Sequence, residues 1–211
     1  MTFITPDYPT TFAFMLIVLF VVGCLIFGVF AAEKNLDGKP REQALTIAIG
    51  VAAWIGFFAL VVSRGELEGR KLPLFFLLAN GSAVMFALSS WGRRLALGLS
   101  IPVLVAFQGF RFPLELILHS WVEQGSIPQT MTWNGQNWDI LSGIVALIAA
   151  QVARRSLVSA WVANILGFVL LLNVGRVAMF SSPVPFGWDV HPKLQLAFHL
   201  PYALIAPVCV A

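Results

Sequence analysis

Long apolar runs alternate with short polar segments along the whole of this 211-residue chain. A helix that crosses a membrane needs about 20 mainly apolar residues, within a range of about 17–25. Seven runs reach or approach that length, at residues 11–31, 43–62, 72–91, 95–122, 140–153, 157–180 and 192–210. The pattern predicts an all-α polytopic integral membrane protein, a bundle of seven transmembrane helices that forms a single domain over residues 1–211.

Composition supports a membrane protein and excludes a soluble domain. Hydrophobic residues make up 59% of the chain and charged residues only 11%, too few charges to cover a soluble surface of this size. The basic residues are spread over loop ends and form no patch with aromatic residues, so the net charge of +3 does not indicate nucleic-acid binding. Cys24 and Cys209 fall in predicted helices, where small buried thiols are more typical than a disulfide.

Lysine and arginine residues in the loops indicate the orientation, because cations concentrate on the cytoplasmic side of a membrane protein. The loops after the first, third and fifth predicted helices hold seven of them: Lys34, Lys39, Arg41, Arg93, Arg94, Arg154 and Arg155. The opposite loops hold four: Arg64, Arg70, Lys71 and Lys193. This distribution favours an N-terminus outside and a C-terminus inside, in a bacterial-type plasma (inner) membrane.

The fourth predicted helix carries a polar stripe, formed by Gln108, Arg111, Glu115 and His119. At 100° per residue, these four side chains share an arc of roughly 80°. An arginine at the centre of a bilayer costs roughly 2.5–3.5 kcal/mol on insertion scales, so the stripe is expected to face protein or water. Pro113 lies in the same stretch and removes a backbone donor, which predicts a kink.

Other predicted helices place polar side chains at a similar depth. The seventh carries Gln195, His199 and Tyr202, while the sixth carries Asn173 and Arg176. The third helix carries Asn80, and Asn80, Glu115, Arg176 and His199 lie about 6–12 Å from the outer ends of their helices. We therefore expect an outward-open pocket with ten candidate ligand-binding residues: Arg111, Glu115, His119, Arg176, His199, Asn80, Gln108, Asn173, Gln195 and Tyr202.

The charges of the expected pocket favour an anion. Arg111 and Arg176 face one buried acid, Glu115, and arginine forks suit carboxylate or phosphate. The leading hypothesis is a membrane protein that binds, and transports or senses, a small acidic or amphipathic ligand. The surplus cation could instead be balanced by Asp139, Asp189 or water, with Arg176 reaching the membrane interface and Arg111 serving to lock helices together.

Two other classes of function stay open. Glu115 and His119 are spaced i, i+4, and His199 could complete a metal site of an embedded enzyme; His119 and His199 could alternatively hold a haem. The chain contains no HExxH, GxSxG or GxGxxG motif, so the cofactor is unknown. An accessory subunit without a ligand, in a homo-oligomer or membrane complex, is the second alternative. A histidine paired with Glu115 would make activity change between roughly pH 5 and 8.

Overall fold

A computed structural model gives the fold and describes residues 3–65, 67 and 71–210. All regular structure in these residues is helical. The eight α-helices of the described ranges are α1 (Tyr8–Asn35), α2 (Pro40–Ser63), α3 (Lys71–Leu88), α4 (Ser90–Gly98), α5 (Ile101–Phe107), α6 (Arg111–Glu123), α7 (Ile140–Val152) and α8 (Leu157–Ser181). The all-α prediction is confirmed.

Five helical segments among the described residues are long and apolar enough to cross a membrane: Tyr8–Asn35, Pro40–Ser63, Lys71–Leu88, Ile101–Glu123 and Leu157–Ser181. Their outer surfaces carry large apolar side chains, such as Phe12, Leu19 and Phe27 of α1, that are more than half exposed. Exposed apolar surface of this extent is typical of a protein that faces lipid. The segments indicate an integral membrane protein.

Helices α1, α2, α7 and α8 lie where the sequence predicts them. The shortest predicted run, 140–153, corresponds to α7 at Ile140–Val152, and 157–180 corresponds to α8. Helix α1 starts earlier than predicted because Asp7 caps it, its carboxylate accepting the Thr10 N–H at 3.0 Å. Hydrogen bonds from the Thr10 side chain and backbone hold the pKa of Asp7 below its ordinary value.

The predicted fourth helix, 95–122, is divided into several pieces. Its first residues belong to α4, which ends at Gly98 and packs on α1, where Asn35 donates to the Gly98 carbonyl at 2.8 Å. Helices α5 and α6 then form one crossing, joined by a 3-10 turn at Gln108–Phe110. The loss of regular α-helix there agrees with the kink that Pro113 predicts.

Residues 192–210 do not form the predicted seventh helix. They contain 3-10 turns at Leu196–Phe198 and Tyr202–Leu204 and a π-helical stretch at Ile205–Val210. Three prolines, at 192, 201 and 207, interrupt the run and remove backbone donors. The apolar side chains of this C-terminal segment pack against α1 and α6 on one side and against α2 and α3 on the other. Irregular backbone at membrane depth is tolerated when protein surrounds it.

Arg70, which contributes to the predicted orientation, lies outside the described residues. Cys24 and Cys209 are both free thiols, as the sequence predicts.

Gly143 sets the close approach of α6 and α7, and this contact is testable. A Cβ at Gly143 would lie 2.5 Å from the Phe112 backbone nitrogen. We expect Gly143→Ala to lower the free energy of unfolding by about 1–3 kcal/mol, because neither backbone can move away without disturbing its neighbours. Thermal unfolding in detergent measures this change.

The matched control is Gly50→Ala, at an exposed position in the interior of α2 where a Cβ would meet no described atom within 4 Å. Alanine there is expected to raise stability by up to about 1 kcal/mol through helix propensity. Equal effects of the two substitutions would contradict a tight α6–α7 contact.

Candidate functional site

An ion pair between Arg111 and Asp139 lies inside the protein. Arg111 Nη1 donates to Asp139 Oδ1 at 2.9 Å and to Oδ2 at 3.0 Å, and both side chains are about nine-tenths buried. Arg111 is the first residue of α6, and Asp139 immediately precedes α7. The pair is electrically neutral and joins α6 to the start of α7.

Ser142 and Asn137 hold the Asp139 carboxylate and its backbone in place. The Ser142 hydroxyl donates to Asp139 Oδ1 at 2.7 Å, and the Asp139 N–H donates to the Asn137 side-chain oxygen at 3.1 Å. All three residues are buried. Since Asp139 accepts from both Arg111 and Ser142, its charge is well compensated.

Asn137 also connects this pair to Glu115. Its side-chain nitrogen donates to Glu115 Oε1 at 2.9 Å and to the Met131 carbonyl at 3.1 Å. Glu115 and Arg111 lie one turn apart on α6, but the Arg111 hydrogen bonds go to Asp139. We call Arg111, Glu115, Asn137, Asp139 and Ser142 the buried polar cluster.

Two members of the buried polar cluster are incompletely bonded. One is Arg111, whose Nε is buried with no hydrogen-bond partner among the described residues. The other is Glu115. It is 2% exposed, and its Oε2 atom is buried with no hydrogen-bond partner among the described residues. A cavity of about 40 Å³ is lined by Glu115, Asp139 and Cys209 and by apolar side chains of α3, α6, α8 and the C-terminal segment. This volume suffices for one water molecule, which needs roughly 10–15 Å³ of such space. It is too small for an organic ligand.

The two histidines of the expected metal site lie apart from the cluster. The His119 ring stacks on Trp133 with ring centroids 4.2 Å apart, and its Nε2 is 3.7 Å from Glu123 Oε1. His199 stacks on Phe3 at 4.0 Å. In the described ranges no three His, Cys, Asp or Glu side chains are grouped closely enough to hold a metal ion. The structure therefore does not bring Glu115, His119 and His199 together.

Arg176 belongs to a separate, exposed group on α8. Its Nη2 donates to Asn173 Oδ1 at 2.9 Å and to Gln136 Oε1 at 3.3 Å, and its guanidinium lies 5.6 Å from the Trp188 ring centroid. Asn173 in turn donates to the Gln136 carbonyl at 2.7 Å. This placement agrees with the alternative in which Arg176 reaches the interface instead of entering a pocket.

The remaining sequence-predicted residues have local partners. Gln108 donates to Asn164 Oδ1 of α8 at 2.8 Å, and Asn80 donates to the Phe76 carbonyl of its own helix at 2.9 Å. The Tyr202 hydroxyl lies 2.9 Å from Thr11 Oγ1. Gln195 precedes the Leu196–Phe198 turn, where its carbonyl accepts the Phe198 N–H. These four residues do not line the cavity beside Glu115.

Sequence reasoning missed Asn137 and Ser142 and named Asp139 only as one source of balancing charge. One signal could have identified them. The stretch Asn134–Asp139 holds four polar residues directly before an apolar helix that is too short for a full crossing. A short helix preceded by polar residues indicates a segment that enters the bundle.

No protein-family model, curated protein sequence or solved structure matches this chain. Its own residues define a polytopic helical membrane protein with a buried polar cluster.

The Arg111–Asp139 pair gives a direct prediction for stability. Asp139→Asn leaves Arg111 buried without a counter-charge, and we expect it to lower the free energy of unfolding by about 3–5 kcal/mol. The double substitution Arg111→Met with Asp139→Asn removes the unpaired charge and should recover most of this loss. Denaturation of the purified variants in detergent measures both values.

Asp189→Asn is the control, because Asp189 is 92% exposed and its neighbour is the exposed His191 at 3.4 Å. It should change the free energy of unfolding by less than about 1 kcal/mol. A double variant as unstable as Asp139→Asn would contradict a stabilising role that depends on charge pairing.

Proposed function

We propose that this protein binds a proton within the membrane, at Glu115, and that the buried polar cluster serves this exchange. The observation that carries the proposal is the unpartnered Glu115 Oε2 atom beside a cavity of about 40 Å³. A buried carboxylate without a cation partner must gain a proton or a bound cation, because an isolated charge is too costly in an apolar interior. Arg111 does not neutralise it, since Asp139 accepts both of its hydrogen bonds.

A proton fits this cavity better than a metal cation does. Hard cations take about six to eight oxygen ligands, whereas the cavity is walled mainly by leucine, valine and alanine side chains, with Glu115 and Asp139 as its carboxylates. The other titratable groups near Glu115 are Cys209, which lines the cavity, and His119, one turn along α6. A proton that enters or leaves Glu115 changes the net charge of the cluster, a property that a transporter or a sensor can use.

The acidic or amphipathic ligand expected from the sequence stays a prediction, with less support than the proton. Binding of such a ligand requires two arginines whose charges no protein group compensates. Arg111 is paired with Asp139, and Arg176 bonds to Gln136 and Asn173 on an exposed face. A metal- or haem-dependent enzyme has less support still, because its three candidate ligands lie in different surroundings.

A purely structural role is the second candidate function. It is favoured by the hydrogen bonds that Asp139 accepts from both Arg111 and Ser142. In that case the cluster only joins α6 to α7, as in an accessory subunit without a ligand. The two candidates differ at Glu115: a proton site requires a carboxyl there, whereas a structural joint tolerates an amide of the same shape.

Infrared difference spectroscopy of the purified protein tests the proton site. The wild type should show the C=O stretch of a protonated carboxyl near neutral pH, and this band should disappear as the pH is raised. Glu115→Gln should lack the band and unfold within about 1 kcal/mol of the wild type, because glutamine resembles the protonated acid.

Glu123→Gln, on the same helix but exposed, is the matched control and should keep the band. A wild type without the band, or a Glu115→Gln protein that retains it, would rule out the proton site and leave the structural role.

We also propose that the chain lies with its N-terminus outside a bacterial-type inner membrane. The segments that follow the apolar parts of α1, α3 and α7, including the short helix α4, hold seven lysines and arginines, and the segments on the opposite side hold four. Six crossings, with the short α7 as one of them, place the 124–139 loop outside. The predicted inside C-terminus required a continuous seventh helix, which the described residues 192–210 do not form.

Single cysteines introduced at Asp37 and Gln136, in a background without Cys24 and Cys209, test this orientation. A membrane-impermeant thiol reagent added to intact cells should label only the Gln136 position. Labelling of the Asp37 position alone would reverse the orientation.

A further inference from the structure

A second and larger cavity lies at the opposite end of the bundle from the buried polar cluster. Its volume is about 460 Å³, and α1, the α1–α2 loop, α2 and α4 form its walls. The lining residues are Glu33, Gly38, Lys39, Gln43, Ser90, Trp91 and Arg94. We call this space the α1–α4 cavity.

An ion pair between Arg94 and Glu33 fixes one wall of the α1–α4 cavity. Arg94 donates from Nε and Nη2 to the two carboxylate oxygens of Glu33, with the Nη2 bond at 2.6 Å. The Glu33 side chain is 3% exposed, but that of Arg94 is 43% exposed. Gly38 is needed here, because a Cβ would lie 2.0 Å from Glu33 Oε2. The guanidinium is thus held at the wall and remains accessible from the cavity side.

The lining of the cavity carries a net charge of +1, from Arg94 and Lys39 against Glu33. Its other cation, Lys39, contacts Glu42 at 2.9 Å in a pair whose side chains are both about two-thirds exposed, and such exposed pairs contribute little and exchange easily. The helix ends and loops of this side hold seven cations, against three acids, Glu33, Asp37 and Glu42.

One helix N-terminus also contributes. Helix α2 begins at Pro40 without a side-chain cap, borders the cavity and adds partial positive charge. The start of α4 contributes less, because the Ser89 hydroxyl already accepts the Trp91 and Gly92 N–H groups.

The surroundings of the cavity are those of a lipid site. It lies where the apolar helices end, and Leu45, Leu88 and Leu97, each within three residues of a lining residue along the chain, have strongly exposed side chains. Trp91 lies in its wall, and tryptophan is enriched at the depth of lipid head groups. A ligand with a phosphate in the cavity could therefore lay acyl chains along these leucines.

We propose that the α1–α4 cavity binds the phosphate of an anionic phospholipid, with Arg94, Lys39 and the start of α2 as its partners. Arginine and lysine both bind phosphate through charge-assisted hydrogen bonds, and helix N-termini favour anions. This site is independent of the proton exchange proposed at Glu115.

Native mass spectrometry and thermal unfolding of the detergent-solubilised protein test the site with three probes: phosphatidylglycerol, phosphatidylcholine and inorganic phosphate. One phosphatidylglycerol should bind with at least about tenfold higher affinity than phosphatidylcholine. Inorganic phosphate alone should give no comparable stabilisation. Equal binding of the two lipids would overturn the proposal, and so would full protection by inorganic phosphate, which would identify a free anion as the ligand.

Two pairs of variants locate the site. Lys39→Gln should weaken phosphatidylglycerol binding about tenfold, whereas Arg155→Gln, a cation of the same face outside the cavity, should not. Ser90→Asp places a carboxylate in the cavity at a helix start, where an acid does not destabilise the fold, and should abolish binding. Ser156→Asp, before α8 at the same end, is its control. If each cavity variant weakened lipid binding no more than its control did, the lipid would recognise only the basic face of the protein. That result would overturn the proposal.

Discussion

The burial of Arg111 is the constraint that determines how α6, α7 and the loop before α7 are arranged. Its guanidinium lies on a helix that crosses the membrane, and an unpaired charge there would cost several kcal/mol. The charge is compensated by Asp139, which does not belong to a regular helix. The loop that carries Asp139 must therefore enter the bundle, and α7 begins inside the bundle, next to Arg111. This explains why α7 has only 13 residues, a length of about 20 Å.

The loop before α7 also determines which groups surround the Glu115 carboxylate. Asn137 enters the bundle two residues before Asp139 and gives Glu115 a hydrogen bond but no charge. Arg111 cannot serve both acids equally, because both of its hydrogen bonds to acids go to Asp139. The C-terminal segment then closes the space beside the carboxylate with Leu196, Ala206 and Cys209. The net charge of the cluster is consequently set by whether Glu115 holds a proton.

The sequence predicts the helices better than it predicts the contacts between them. Apolar run lengths place α1, α2, α7 and α8 close to their observed bounds, and the polar stripe correctly indicates that Arg111 and Glu115 face the interior. Hydropathy alone could not exclude a helix at 192–210, since it measures apolar character and not backbone conformation. The three prolines of that run are the sequence feature that argues against a continuous helix.

The expected convergence of Glu115, Arg176 and His199 rested on depth. Rise per residue gives the depth of a side chain, but not the direction in which it points around the bundle axis. Arg176 points to an exposed face with Trp188, and His199 lies on an irregular segment against Phe3. The partners of Arg111 and Glu115 come from a loop, whose conformation has no period from which to infer contacts. Asp139 could be named as a balancing charge, but its position could not be derived.

Each end of the bundle contains an ion pair between an arginine and a carboxylate, but the two pairs differ in exposure and in the space beside them. At one end Arg111 and its acid are both buried, and the space beside them is about 40 Å³. At the other end Glu33 is buried but Arg94 is 43% exposed, beside a space of about 460 Å³. An arginine bonded to a carboxylate is thus compatible with a closed joint and with an open cavity wall. Room and exposure, more than residue type, leave space for about one water molecule beside the first pair and for a group the size of a phosphate beside the second.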